Sequence, residues 1–321
     1  MVRELDVKQW RDALVEACED GDGTRARTLV LQPGLRRARV LLEGMLEDPD
    51  ALVRQAAAWG LGELGGAASA RRLEQQLPIE ESRQDHDGAF VVETITQALG
   101  RIKEAGSRAT LVRRLQRLVP GRDTLSEVNP LARALWRHRH PDLLPGIREA
   151  LEQLDLSELN SLRGLRLLLE KSPEELRTWA QDISVPVKDK TEVLTVLEEE
   201  VPDTWMPTVS AFISTAEAMV DDAVNQDGEA AYFCERLLLL VLGQERILPR
   251  VGSEARSGLR TVARRLLSAT SLNCSTRAAS LLALIGQPED AALLERHRPA
   301  EPILARLFDE AAQVLRRIQE K

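Results

Sequence analysis

The stretch that decides the fold covers residues 47–65 and reads EDPDALVRQAAAWGLGELG. Asp48 and Pro49 are typical of a helix start, because an acidic side chain caps the first N–H groups and proline has the φ of a first turn. The apolar residues that follow recur at helical spacing: Val53, Ala57, Leu61 and Leu64. The pair Gly65–Gly66 then predicts the end of this helix, because glycine adopts a left-handed C-cap.

A second helix follows in the sequence, and the two helices together form a unit that recurs along the chain. Its apolar face is predicted to contain Ala70, Leu73 and Leu77. Residues 275–286 repeat the first helix near the C-terminus, and residues 291–297 begin its partner. Between these copies, residues 92–102 and 131–136 occupy first-helix positions. The spacing predicts a series of helical hairpins of about 35–40 residues each.

Second helices have a mark of their own, which is an apolar residue followed by proline. Three segments contain it: Leu144–Ile147, Met206–Val209 and Leu248–Val251. Proline fits the first turn of a helix, where its missing N–H costs little. Residues 176–183 predict a more degenerate second helix. We therefore expect seven or eight helical pairs and no strand.

These residues resemble HEAT repeats of the PBS-lyase HEAT-like type, whose unit runs Asp-Pro, Val-Arg, Ala-Ala and Leu-Gly. The matching positions are Asp48, Pro49, Val53, Arg54, Ala56, Ala57, Leu61 and Gly62, and in the late copy Arg277, Ala278, Ala279, Leu284 and Gly286. The resemblance is specific over residues 48–77 and 275–297 and weaker elsewhere. It implies a right-handed α-solenoid with first helices on the convex side and second helices on the concave side.

The expected organisation is a single all-α solenoid over residues 1–321. Stacked hairpins bury a continuous core, and end repeats are atypical because they must present a polar outer face. We therefore expect an irregular N-terminal cap over 1–46, repeats over 47–297 and a capping helix over 298–321. The apolar run Leu237–Leu242 predicts a buried central helix.

Composition excludes several classes of protein. Aromatic residues make up only 3% of the chain, which disfavours a β-sandwich or barrel. The net charge of −8 argues against a globally basic nucleic-acid binder. Three distant cysteines with no CxxC pair favour a reducing, cytoplasmic location. The charged N-terminus predicts no signal peptide, and the short apolar runs predict no membrane span.

Candidate chemical sites have simpler structural explanations. Residues 60–65 match GxGxxG, but these glycines lie within and at the end of a predicted helix, so we interpret them as packing and capping positions. The residues after Leu77 include possible metal ligands, Glu80, Glu81, Asp85, His86 and Asp87, with no known spacing. We expect a solvated connector there. Residues 225–228 resemble an EF-hand loop only faintly, because its first position is Ala223.

The segment 136–142 contains two histidines beside an aspartate. A His138 or His140 pair with Asp142 is a conceivable acid–base site. No serine or cysteine nucleophile has a recognisable spacing to it. We therefore predict no catalytic residues, no metal and no cofactor, and a chain that is not an enzyme.

Charge is unevenly distributed along the sequence. Residues 101–148 contain eleven Lys or Arg against four Asp or Glu, whereas residues 188–229 contain eleven acidic residues against two lysines. On the predicted helix 108–119, an apolar face lies opposite an arginine face. An ordinary solvated face is one explanation, and a partner-binding patch on the concave side is the other. The candidate partner-binding residues are Arg113, Arg114, Arg117, Arg133, Trp136, Arg137 and Arg139.

Three functions remain open at this point. The first is a non-enzymatic scaffold or adaptor that binds another, possibly acidic, protein. The second is nucleic-acid binding, since HEAT-like alkylpurine DNA glycosylases are similar in repeat architecture and have a basic concave surface. The third is a chromophore lyase or chaperone, as the PBS-lyase name suggests.

Overall fold

The computed structural model describes residues 6–83, 86–121, 124–154, 156, 158–226, 228–244 and 246–319. Within these ranges the chain is all-α, as predicted, and contains no strand. The chain divides into two compact units, Met1–Leu156 (unit 1) and Ser157–Lys321 (unit 2). A single solenoid with caps over 1–46 and 298–321 stays a prediction. None of the described helices is both long enough and apolar enough to cross a membrane.

The described part of unit 1 contains nine α-helices and one short 3₁₀ helix, Pro141–Leu143. The α-helices are α1 (Val7–Glu19), α2 (Gly23–Leu31), α3 (Leu35–Met45), α4 (Ala51–Leu64), α5 (Gly66–Arg83), α6 (His86–Arg101), α7 (Ala105–Arg117), α8 (Thr124–Arg137) and α9 (Leu144–Gln153). The first helices α4, α6 and α8 pack in one row, and the second helices α5, α7 and α9 pack in another.

The described part of unit 2 contains ten α-helices and a second 3₁₀ helix, Asp203–Trp205. The α-helices are α10 (Ser161–Glu170), α11 (Pro173–Gln181), α12 (Val187–Leu197), α13 (Met206–Asn225), α14 (Glu229–Gly243), α15 (Ile247–Arg250), α16 (Ser253–Leu266), α17 (Leu272–Ile285), α18 (Asp290–Arg296) and α19 (Pro302–Gln319). One row contains α10, α12, α14, α17 and α19, and α11, α13 and α16 form the other.

Helix α4 begins two residues later than the sequence predicts. Asp50 is its cap, because its carboxylate accepts from the Leu52 N–H at 2.9 Å. Asp48 instead accepts from the Asp50 N–H at 2.9 Å and shapes the preceding turn. The predicted glycine stop is confirmed, because Gly65 and Gly66 both have positive φ, 64° and 77°.

Helix α5 extends into the segment after Leu77 that was expected to be a connector. It continues through Pro78 to Arg83, and the side chain of Glu80 is buried. The expectation of a solvated connector was therefore wrong for residues 78–83, because the buried Arg54 side chain contacts Glu80 and holds this turn against α4. Asp85 and the side chain of His86 lie outside the described residues.

Small residues allow the first helices of unit 1 to approach closely. A Cβ on Gly62 would lie 2.8 Å from the Cβ of Ala98, and one on Gly100 would lie 2.8 Å from the Cα of Ala134. These distances are shorter than real Cβ contacts, so the row requires glycine at both positions. The packing interpretation of the GxGxxG match is confirmed, because its first two glycines lie inside α4 and the third caps it.

The structure corrects the register of the late copy of the motif. Both α4 and α17 have 14 residues, and their C-caps are Gly65 and Gly286. Aligning the caps pairs Arg54 with Ser275 and Leu61 with Leu282, not with Arg277 and Leu284. Burial agrees with this register, because Leu282 is fully buried whereas Leu284 is 64% exposed.

The proline mark predicted two of three second helices fully. Helices α9 and α13 begin at Leu144 and Met206, as expected. The third mark gives only the four-residue α15, and the long second helix α16 begins at Ser253 after a break. The run Leu237–Leu242 lies in α14 and is largely buried, as predicted.

Candidate functional site

The predicted arginine face of α7 is only partly exposed. Arg113 and Arg117 are exposed, but Arg114 is only 4% exposed and forms ion pairs with Glu81 at 2.5 Å and Glu127 at 3.4 Å. The expectation that all three arginines face a partner was therefore wrong for Arg114. Glu81 of α5 holds Arg114 in the contact between α5 and α7. The two residues are 33 positions apart, so helical periodicity alone does not reveal the pair.

Glu81 also pairs with Arg117 and so partly neutralises its charge. Its second carboxylate oxygen accepts from Arg117 at 2.7 Å. Arg113 differs from both, because it donates to the hydroxyl of Thr110 at 2.7 Å and has no carboxylate partner among the described residues. Arg113 is therefore the member of this face whose charge is most available to a partner.

Trp136 lies in the core of unit 1 and is only 1% exposed. The guanidinium of Arg139 lies over its ring, 5.0 Å from the centroid, in a cation–π contact. The expectation that Trp136 joins a partner-binding surface was wrong, because α8 turns the ring inward. Three arginines nearby are half-buried: Arg133 and Arg137 near the end of α8, and Arg139 just after it.

His138 and His140 contact different partners. His138 Nε2 lies 2.8 Å from the carbonyl oxygen of Leu99, and burial lowers the pKa of His138. His140 Nδ1 lies 2.9 Å from the Asp142 carboxylate, so these two side chains are in contact. It lies exposed at the start of a 3₁₀ helix, where Arg108 also contacts Asp142 at 3.3 Å.

Most arginines with well-defined partners connect neighbouring repeats. Arg27 contacts Glu63 at 2.7 Å across 36 residues, and Arg277 contacts Glu235 at 3.0 Å across 42 residues. Arg236 pairs with Glu198 across 38 residues. The separations equal about one hairpin, so the charges stabilise stacking and are not available to a partner. The recurrence of Glu and Arg one repeat apart is a signal that sequence reasoning missed.

Helix α3 carries a basic group that the sequence analysis did not single out. Arg36 and Arg37 are exposed and have no ion pair among the described residues. Large apolar side chains lie exposed beside them on the same segment: Leu31 at 50%, Leu35 at 63% and Val40 at 65%. On helix α5, Arg71 is likewise exposed and has no ion pair within the described part of the chain.

No group of three His, Cys, Asp or Glu side chains that could hold a metal ion occurs among the described residues. The exposed groups with the clearest chemical character in unit 1 are arginines on α3, α5 and α7. We call Arg36, Arg37, Arg71 and Arg113 the open arginines, because each is exposed without a carboxylate partner in the described ranges.

Comparison with protein-family models agrees with this architecture. The family model for HEAT repeats matches residues 38–124, which include the hairpin α4–α5. Among solved structures, human deoxyhypusine hydroxylase in complex with glycerol is 16% identical, with 97% of each chain covered and a TM-score of 0.34. An engineered protein is also 16% identical, covering 98% of this chain and 97% of its own, with a TM-score of 0.33. The search of curated proteins found no match. The family match over residues 38–124, together with the all-α architecture of the described residues, supports a HEAT-repeat protein.

Proposed function

We propose that this chain is a non-enzymatic scaffold that binds an acidic, partly apolar segment of a partner protein. The observation that carries the proposal is the set of open arginines on α3, α5 and α7 of unit 1. The chain has a net charge of −8, and many of its other arginines pair with carboxylates one repeat away, so these exposed cations stand out. Exposed cations without local partners attract an acidic ligand and set its orientation.

The neighbouring side chains favour a protein ligand. Leu35 and Val40 are exposed on the same helix as Arg36 and Arg37. A partner that combines carboxylates with apolar side chains would pair with these arginines and cover the apolar side chains. Apolar burial supplies affinity, and guanidinium–carboxylate pairs supply selectivity. HEAT-type stacks present extended surfaces, which suit such a segment. From the predicted patch, Arg113 and the exposed part of Arg117 remain in the proposal.

A direct binding measurement tests the proposal. The probe is a fluorescein-labelled peptide of alternating glutamates and leucines, titrated with the full chain and followed by anisotropy. The test variant combines Arg36→Gln, Arg37→Gln and Arg113→Gln. The matched control combines Arg298→Gln, Arg306→Gln and Arg316→Gln, which removes three exposed arginines that already have carboxylate partners in unit 2.

We expect the test variant to weaken peptide binding by about tenfold and to reduce its salt dependence, while the control changes little. Equal loss in both variants would reject the open arginines as the site. A tagged pull-down with and without nuclease tests the other functions. Partners that disappear with nuclease would favour nucleic-acid binding, and excision of alkylated bases or a coloured bilin adduct would contradict a non-enzymatic role.

A further inference from the structure

Unit 1 contains a cleft among its N-terminal helices. The cleft has a volume of about 460 Å³ and is lined by α1, α2, α4 and α6 and by the turn between α1 and α2. This volume lies within the range of small-ligand pockets, and it suits one or two large side chains. All of its lining residues belong to unit 1.

Small residues create the cleft and large ones form its edges. Ala17, Ala26 and Ala56 are buried at its base. Gly21 has a φ of 69°, which allows the tight turn between α1 and α2 without filling the space. At the edge, Leu52 is 43% exposed and Trp59 is half-buried. Two large apolar side chains thus border a small-residue base, and Gln55, Thr94 and Gln97 add polar groups to the lining. A mixed lining of this kind suits an amphipathic ligand.

The turn beside the cleft is acidic. Glu19 is the charged side chain in the lining, and it is exposed. Glu16 lies one helical turn earlier on α1, whereas Asp20 and Asp22 lie between α1 and α2. Arg25 contacts Glu16 at 2.5 Å and Asp20 at 3.9 Å. Four carboxylates with one guanidinium leave a negative mouth, which favours a cationic ligand over an anionic one.

We propose that this cleft binds an amphipathic segment of a partner protein, in which a leucine-sized or aromatic anchor is flanked by lysine or arginine. The anchor fills the space between Leu52 and Trp59, and the flanking cations meet the carboxylates of the α1–α2 turn. This surface differs from the open arginines in position and in the sign of its charge. It therefore goes beyond the proposed function, and each proposal can fail without the other.

Cys18 provides a reporter inside the cleft. Its side chain lines the cleft and is partly exposed, whereas Cys234 and Cys274 are fully buried. Burial raises the pKa of the Cys18 thiol to about 11, so alkylation is slow at neutral pH and faster as the pH rises. Iodoacetamide at about pH 9 is therefore expected to modify Cys18 first. An occupant of the cleft is expected to slow that reaction.

The experiment uses the full chain and two labelled peptides of about twelve residues. One has two central leucines flanked by lysines, and the other has the same leucines flanked by glutamates. Binding is followed by anisotropy, and the alkylation of Cys18 by intact mass. We expect the lysine peptide to bind and to protect Cys18, and the glutamate peptide to do neither at this site.

Two substitutions locate the binding site. Gln55 lines the cleft, so Gln55→Arg places a cation in it and is expected to abolish binding of the lysine peptide. The matched control, Gln75→Arg, lies exposed on α5 outside the cleft. Glu19→Gln is expected to weaken binding about two- to fivefold, and Glu149→Gln on α9 to leave it unchanged. Circular dichroism and urea unfolding check that every variant is folded.

Several results would overturn the proposal. These are equal binding of both peptides, binding of the lysine peptide without protection of Cys18, full binding by Gln55→Arg, or no binding at all. The variant that combines Arg36→Gln, Arg37→Gln and Arg113→Gln is expected to retain binding of the lysine peptide. Its loss there, with the cleft residues intact, would also contradict a separate site.

Discussion

The hairpins α4–α5 and α17–α18 both have a first helix of 14 residues that ends at a glycine, but they bury different charges. At the position where α4 has Arg54, 2% exposed, α17 has Ser275, 5% exposed. Arg54 donates to Glu80 at 3.2 Å and to the carbonyl oxygens of Asp48 and Pro49 at 3.0 and 2.9 Å. Its ion pair therefore connects the two helices of one hairpin.

The late hairpin uses its charge differently. Asp290, at the start of α18, is fully buried and accepts from Arg260 of α16 at 2.7 Å and from the Gln287 N–H at 2.9 Å. Arg264 contacts it at 3.4 Å. This network connects a hairpin to the second helix before it. The difference teaches that one repeat motif can place its stabilising charge within a hairpin or between hairpins.

Removal of Arg54 is expected to have the largest effect. Arg54→Met removes the buried cation beside the buried Glu80 and leaves this carboxylate, among the described residues, with Gln76 and the partly exposed Arg83 as partners. A buried carboxylate that loses its buried partner is costly. We expect a loss of about 3–5 kcal/mol in the free energy of unfolding, measured by urea denaturation. The double variant Arg54→Met with Glu80→Leu is expected to recover part of it. A double variant no more stable than the single one would contradict the view that the isolated carboxylate causes the loss.

Asp290→Asn tests the other arrangement and is expected to cost less. Its arginine partners are partly exposed, with side-chain exposures of 17% for Arg260 and 43% for Arg264, so water solvates them when the carboxylate is lost. We expect a loss of about 1.5–3 kcal/mol, typical of hydrogen bonds to charged groups. A cost equal to that of Arg54→Met would show that exposure of the partner does not set the penalty.

Glu192 in α12 is a buried carboxylate in unit 2, and its contribution to the stability of the folded chain depends on pH. It accepts from the Asn160 N–H at 3.1 Å and from Arg163 at 3.2 Å, yet burial raises its pKa. The folded chain therefore binds this proton more tightly than the unfolded chain. The resulting stability is present below the unfolded pKa of about 4.3 and is lost as the pH rises through the folded pKa.

Glu192→Gln removes this titration. We expect the stability of the variant relative to the native chain to increase as the pH is raised from about 4 to about 7, as measured by urea denaturation at several pH values. A parallel pH dependence in both proteins would mean that Arg163 and Asn160 fully compensate the burial of the carboxylate.

The sequence predicted the helices well because their signals are local. Apolar spacing, the glycine caps and the match over 48–77 indicated α4 and the start of α5 correctly. The errors arose where distant residues decide the outcome. Helix α5 continues past Leu77 because Glu80 meets Arg54, 26 residues away, and the late register shifts by two because cap and burial outweigh an Arg-Ala-Ala match.

The candidate site was predicted less well for the same reason. Charge counting found a basic segment at 101–148, but it does not distinguish Arg113, which is open, from Arg114, which Glu81 and Glu127 neutralise. It also missed Arg36 and Arg37, which lie in the predicted N-terminal cap. Which arginines remain available depends on where carboxylates one repeat away come to lie.

The smallest expected effect lies at Ser275, where the comparison between the two hairpins is most direct. Its hydroxyl donates to the carbonyl oxygen of Leu272 at 3.1 Å, a bond within its own helix. Ser275→Ala removes that bond without isolating a charge, and alanine favours the helix, so the free energy of unfolding is expected to change by less than about 0.5 kcal/mol. Ser275→Arg, by contrast, buries a guanidinium without the glutamate that α5 supplies to Arg54, and urea denaturation is expected to show a large loss. If Ser275→Arg were tolerated, the buried pair of α4–α5 would not be needed to hold an arginine at this position of the repeat.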